Sequence, residues 1–222
     1  MDISPIAVIH NDYGSKFAVP RQSGIAETES RIVFEKPFAD ENAVRRLEGF
    51  SHLWLIWGFS ENEGKGYSLT VRPPRLGGNE RVGVFASRSP FRPNGLGLSC
   101  VRLERIDYDT NRTPTLCVTG ADLTDGTPIY DIKPYIRFTD SRPDAVSGYV
   151  DEVPFRLLKV NADDGLLAKL PEEKRAPLLQ ILQNDPRPAY RGDSERIYGF
   201  PYAGFEIKFK VEDGTLTVTD II

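Results

Sequence analysis

The 222 residues, 40% hydrophobic and including 12 Phe and 9 Tyr, can bury one large domain, or a domain with a small appendage. No apolar run approaches the roughly 20 residues of a membrane span, and the opening MDISPIAVIHNDY has neither the basic nor the long apolar segment of a signal peptide. The net charge of −4 speaks against nucleic acid only in total. Gly64 to Arg105 holds eight Lys/Arg against two Glu, a local +6 that leaves −10 elsewhere, and such a basic face attracts phosphates.

Ile3 to His10 reads as a first strand on its β-favouring Ile6, Val8 and Ile9. A loop with Gly14 and Pro20 runs from Asn11 to Gln22, and Ile32 to Phe34 is a short strand. Asp40 caps a predicted helix over Ala43, Val44 and Leu47, which Gly49 stops. Ser51 to Phe59, SHLWLIWGF, is almost wholly apolar. It reads as a strand buried on both sides, or buried against a partner subunit. Ser60 to Gly66 is a polar loop, Tyr67 to Val71 a strand, and Arg72 to Glu80 a Pro/Gly loop.

The chain then reaches VGVFASRSPFRPNGLGLS, residues 82 to 99. Val82, Val84 and Phe85 begin as a strand. Pro90 and Pro93 fix two φ angles and remove two donors, so neither helix nor central strand continues. Asn94-Gly95 suits a tight turn, and Leu96, Leu98 and Cys100 lead into a further strand through Val101 and Leu103. A stiff loop between two strands thus presents Arg88 and Arg92, whose planar, permanently charged guanidiniums suit carboxylate, phosphate or base edges. On the residues alone, a structural loop with solvated arginines is the commoner reading of such a pattern.

Val101 to Ile106 and Thr115 to Gly120 form an antiparallel pair, with Asp107 to Pro114 as connector. Asp125 to Pro128 is a turn, and Ile129 to Ile136 a short strand broken by Pro134. Strands at this spacing with a single short helix predict a β-barrel. Residues 139 to 153 have linker composition. Phe155 to Val160 is strand-like. Asp163 to Leu170 and Glu172 to Leu182 read as helical, although Pro177 must break or start a turn. Glu206 to Val211 and Thr215 to Ile221 alternate around Asp213-Gly214, the strongest hairpin signal in the chain. The fold class is therefore mainly β: a barrel over 1–145, with a small C-terminal α+β domain over 150–222.

No G-x-G-x-x-G follows a strand and no G-x-x-x-x-G-K-[ST] occurs, which excludes the usual dinucleotide and P-loop pockets. His10 and His52 lie in strand-like runs and partner no Ser or Cys nucleophile. Two histidines with Cys100 and Cys117 make no zinc set, so no metal is expected. The cysteines read as reduced core thiols of a cytoplasmic protein. The residues by themselves stop at a β-rich protein with an arginine-bearing loop.

That loop closely resembles F-A-T-R-S-P-F-R-P-N-P-I-G-L-S, the signature of the TrmO (TsaA-like) tRNA methyltransferase family. Pro20-Arg21-Gln22, Asp125-Gly126-Thr127-Pro128 and Asp131-Ile132-Lys133-Pro134-Tyr135 agree with the same family in order and spacing. The resemblance is strong to about residue 145 and extends to Asp185-Pro186-Arg187-Pro188-Ala189-Tyr190 of the C-terminal portion. It implies a single-sheet barrel, S-adenosylmethionine as methyl donor, and the N6 nitrogen of threonylcarbamoyladenosine, 3′ of the anticodon in tRNA, as acceptor. It implies a homodimer with each donor pocket near the subunit boundary.

Carried over residue by residue, the resemblance gives a donor pocket of Pro20, Arg21, Gln22, Ser60, Glu61, Arg88, Leu98, Asp125, Gly126, Thr127 and Pro128. The chain departs from the pattern at Ser60, where the family often has His, and at Gly95-Leu96, where Pro-Ile is usual. Transfer to nitrogen also requires the N6 proton to leave. Asp131, Lys133 and Tyr135 are the candidates, although Asp131 and Lys133 share a strand face and could simply pair. Arg92 is the candidate for the acceptor's own carboxylate, and Arg72 and Arg75 for tRNA phosphates. Tyr67 and Phe91 could stack on a base, but such residues are more often core. The alternative function is a non-catalytic nucleotide- or RNA-binding barrel, and a purely structural dimer module is a third reading.

Overall fold

A computed structural model describes residues 2–153, 156–187 and 196–222. The N-terminal part holds β1 (Ala7–His10), β2 (Glu29–Phe34), β3 (His52–Gly58), β4 (Thr70–Val71), β5 (Val82–Gly83), β6 (Leu96–Tyr108), β7 (Pro114–Thr119) and β8 (Pro128–Pro134). Six of these close into one antiparallel barrel in the order β1-β2-β7-β6-β3-β8, while β4 and β5 pair with each other outside it.

Period-2 alternation builds the barrel. Along β3, Leu53, Leu55 and Trp57 point into the core, whereas His52, Trp54 and Ile56 on the other face are half-buried. SHLWLIWGF is therefore not buried on both sides, as one reading of its composition had it. Each fully buried Leu contributes about 1.5–3 kcal/mol. Trp57 is the largest interior group of β3, and β6 accommodates it with Gly97, where a Cβ would lie 2.3 Å from the indole.

Several expected elements differ. The region after Asp40 is two 3-10 turns, Glu41–Val44 and Leu47–Gly49, not one helix, because Arg46 between them is left-handed (φ 70°). Asp40 does cap, accepting from Asn42 N at 2.8 Å. Tyr67 to Val71 is strand only at Thr70–Val71, and the strand expected through Phe85 ends at Gly83 in a 3-10 turn, Val84–Ala86. Residues 137–152, read in part as linker, carry single-turn helices α1 (Arg137–Asp140) and α2 (Tyr149–Glu152).

The C-terminal part holds β9 (Lys159–Asn161), α3 (Asp164–Leu167), α4 (Glu172–Gln183), β10 (Tyr198–Tyr202), β11 (Phe205–Glu212) and β12 (Thr215–Ile221). The sheet order is β10-β11-β12-β9, with β9 parallel to β12. Asp213 and Gly214 both take positive φ (45° and 74°), as a two-residue hairpin turn requires. Pro177 lies inside α4 without breaking it. The carbonyl it leaves without a helical donor belongs to Glu173, an exposed residue. Phe155 and the segment Pro188-Ala189-Tyr190, both used in reading the sequence, lie outside the described residues.

Leu178, Ile181 and Leu182 of α4 pack on Phe200, Phe209 and Leu216 of this sheet. Tyr13, Ala18 and Ala26 join the same cluster. The β1–β2 connection therefore belongs to the barrel by sequence and to the C-terminal core by packing. Among the described residues, no helix is long and apolar enough to cross a membrane.

Candidate functional site

Antiparallel pairing puts the end of β1, the start of β2, the end of β7, the start of β6, the end of β3 and the start of β8 at one mouth of the barrel. Three connections cross that mouth: 11–28, 59–95 and 120–127. The blocks Pro20-Arg21-Gln22, Ser60-Glu61, Arg88 and Asp125 to Thr127 all lie on them, and Pro128 opens β8 there.

Side chains join these connections. The Arg88 guanidinium donates to Gln22 Oε1. Phe59 N donates to Gly95 O at 2.9 Å, which ties the 3-10 turn Ser60–Asn62 to the Asn94-Gly95 turn. Asp125 N donates to Tyr13 O at 3.0 Å and Gly126 N to Ile9 O at 2.9 Å, docking the turn on the end of β1. The Asp125 carboxylate accepts from Asn11 N at 3.0 Å and bonds His10 Nδ1 at 3.2 Å. Thr127 is buried and donates through Oγ1 to Thr124 O. Leu98, third in β6 after Leu96-Gly97, is 55% exposed on the outer face.

Three arginines are held in ways the sequence does not signal. Arg21 Nη2 donates to Asp185 O at 3.2 Å and Arg187 O at 2.8 Å, so its guanidinium clasps the segment after α4. Around it lies a cavity of about 220 Å³ lined by Phe17, Pro20, Ile181 and Pro186 among others. Arg75 donates to Val150 O at 3.1 Å and Val153 O at 2.6 Å and braces the chain at α2. Arg92 Nη1 reaches Ser87 O at 3.1 Å and Ser89 O at 3.4 Å, which stiffens the Pro90–Pro93 loop. Arg72 is exposed.

The D-x-K-P-Y block runs down β8, away from the mouth. At about 3.3 Å per residue, Asp131 lies about 10 Å from Pro128 and Tyr135 about 23 Å. Asp131 faces Ile56, which in turn faces Leu98, so these three form one row on the outer surface. Lys133 Nζ pairs with Asp131 at 2.9 Å. Tyr135 packs beside Trp54, ring centroids 5.8 Å apart, and Trp54 Nε1 donates to Asp140 at 3.0 Å. The structure thus brings Asp131 near the mouth and leaves Tyr135 at the far end.

Asp122 escaped the sequence reading. It is half-buried behind Arg88, accepts from Ser99 Oγ, and Ser99 accepts from Trp57 Nε1 at 2.9 Å. Burial pushes its carboxyl above the ordinary value, while Ser99, Arg88 and the main chain at Ser23 oppose that shift. Its position just before the Asp125 turn was the one signal available. Its partners come from residues remote in sequence.

Comparison with known proteins agrees with this arrangement. The description "tRNA-methyltransferase O N-terminal domain" matches residues 8–141, and "TrmO C-terminal domain" matches 158–222. The tRNA (adenine(37)-N6)-methyltransferase of Escherichia coli (strain K12) is 40% identical, over 96% of this chain and 94% of its own. RcsF of Pseudomonas aeruginosa (strain PAO1), a candidate S-adenosylmethionine-dependent methyltransferase, is 38% identical over 89% of this chain and 87% of its own. A crystal structure of TrmO superposes with a TM-score of 0.80 at 30% identity, covering 100% of this chain and 98% of that one. With both halves matched and the motif blocks gathered at one mouth, the chain belongs to the tRNA-methyltransferase O family.

Proposed function

We propose that this chain is an S-adenosylmethionine-dependent tRNA methyltransferase that methylates N6 of threonylcarbamoyladenosine at position 37, on the 3′ side of the anticodon. The observation that carries the reading is the convergence of the separate motif blocks on one barrel mouth, sealed by Arg88 on Gln22. The E. coli relative's name gives the base and the position, and the P. aeruginosa relative's name gives the donor.

The residues present fit the donor. Arg88 offers an exposed charged fork to a carboxylate. Main-chain groups of Pro20 to Gln22, Ser60-Glu61 and the Asp125 to Pro128 turn offer bonds to an ammonium and ribose hydroxyls. Leu98 offers an exposed apolar surface to an adenine ring. When bound, the donor supplies a methyl group already activated on a sulfonium. The protein's part is then alignment, which supplies several kcal/mol, and removal of the N6 proton. Asp131 takes that proton in this reading, with Lys133 as its paired partner. Arg92 holds the acceptor's carboxylate, and Arg72 and Arg75 lie toward tRNA phosphates.

Two copies act together in this reading. The outer face of β6, β3 and β8 carries Leu98, Ile56 and Trp54, and Phe138 beyond β8 is 89% exposed. A two-fold pair would cover that face and set Asp131 at the subunit boundary beside the donor mouth. The barrel, residues 1–145, carries donor and chemistry, residues 150–222 form the small second domain, and the enzyme works in the cytoplasm. Mass spectrometry of tRNA nucleosides after incubation with the donor tests the reading. Donor-dependent loss of threonylcarbamoyladenosine and gain of its N6-methyl form supports it. Donor and tRNA binding with no methyl transfer favours the non-catalytic barrel.

A further inference from the structure

Four large apolar side chains stand in solvent on the excursion between β3 and β6. Tyr67 is 63% exposed, Leu69 70%, Phe85 78% and Phe91 41%. They are not scattered. Ser68 N donates to Phe91 O at 3.2 Å, Val84 N donates to Leu69 O at 3.0 Å, and the β4–β5 ladder continues with Thr70 opposite Gly83. Those main-chain bonds bring the four residues onto neighbouring backbone segments. Large apolar side chains exposed so close together mark an interaction surface, and the chemistry proposed above uses none of the four.

Charge names the occupant. Residues 64 to 95 carry six basic side chains, Lys65, Arg72, Arg75, Arg81, Arg88 and Arg92, against the single acid Glu80, a local +5 in a chain of −4. A second copy in two-fold pairing would lay this cationic patch on itself. A polyanion with flat, unpaired apolar groups meets both features, and single-stranded RNA is such a polyanion. Arg81 donates to Thr70 Oγ1 at 2.7 Å, which fixes a cation at the edge of the patch.

We propose that Tyr67, Phe85 and Phe91 form a stacking platform for unpaired bases of the RNA substrate, with Arg81 on the adjoining phosphate. The platform rests on the tRNA reading above and adds where the loop lies. Phe85 is three residues before Arg88, so bases flanking the target rest beside the donor mouth while the target base is drawn into it. Removing these rings creates no core cavity, because all three are exposed.

The test titrates the full chain with two labelled RNAs across a salt series: an anticodon stem-loop, and a blunt, fully paired duplex with the same number of nucleotides. The double variant Tyr67→Ser/Phe85→Ser is expected to bind the stem-loop about 10-fold more weakly per ring. Binding of the paired duplex, the slope of log K on log salt, and donor affinity all stay unchanged, and Phe85→Trp retains stem-loop binding. Arg81→Gln weakens both RNAs and reduces the slope by about one phosphate's worth. Equal loss on both RNAs, no loss on either, or loss accompanied by dissociation of a dimer in light scattering overturns the platform alone. Failure of the wild type to bind any RNA overturns the tRNA reading with it.

Discussion

Arg88 and Gln22 sit on different connections, and their hydrogen bond ties the two across the mouth. Arg88→Ala is expected to weaken S-adenosylmethionine binding about 30-fold or more, from about 2 kcal/mol for bonds to a charged group. The melting temperature stays near wild type, since Arg88 is exposed. Calorimetry and thermal unfolding of the same sample separate the two. Gly97→Ala acts the other way. A Cβ 2.3 Å from Trp57 overpacks the barrel, costs about 1–3 kcal/mol and lowers the melting temperature. Asp140 gives a pH signature. The Ile136 N–H and then Trp54 Nε1 hold its carboxyl below the ordinary value of 3.8. That stabilisation is complete above 3.8 and is lost as pH falls through the lower folded value. Asp140→Asn is therefore expected to lower the urea midpoint at about pH 7, with the gap to wild type closing as pH falls below 3.8. The motif blocks that carry Arg88 and the Asp125 turn were legible in the sequence because each is contiguous, and the fold gathers them at one mouth. Asp122 was not, because Ser99 and Arg88 reach it only through the closed sheet. Tyr67 and Phe91 looked like core, but the strand that would have buried Tyr67 begins only at Thr70.

The 11–28 connection is held from outside the barrel. Lys174 of α4 pairs with Asp12 at 2.5 Å, Gln180 accepts from Glu27 N at 2.8 Å, and Arg21 clasps the chain beyond α4. Leu178, fully buried, packs in the cluster that also holds Tyr13, Ala18 and Ala26. Leu178→Ala is expected to cost about 2–5 kcal/mol and, well below its melting temperature, to raise the donor Kd although no donor contact is touched. Normal donor affinity in a destabilised Leu178→Ala would show that the connection keeps its shape without α4. The barrel was legible in its strand spacing, and the last hairpin in Asp213-Gly214. The two 3-10 turns after Asp40 were not, because a left-handed Arg46 has no sequence signal of its own. Nor was the reach of the first loop into the C-terminal core, since packing partners far apart in sequence leave no periodicity to read.

At the scale of the molecule, the proposed pairing of two copies would join the outer face of β6, β3 and β8 to the mouth beside it. Light scattering at micromolar concentration is expected to give a dimer, and Trp54→Glu a monomer with its barrel intact. Mixing a Gln22 variant with an Asp131 variant, each inactive alone, then restores part of the activity if the site is shared. A monodisperse wild-type monomer with full methyl transfer would refute the pairing. The central claim is the reaction itself. Purified protein, S-adenosylmethionine and tRNA bearing threonylcarbamoyladenosine are incubated together, and the digested nucleosides are weighed by mass spectrometry. The account predicts that a methyl replaces one hydrogen on that nucleoside alone, and only when donor is present. An unchanged nucleoside, or a methyl on another base, would contradict it.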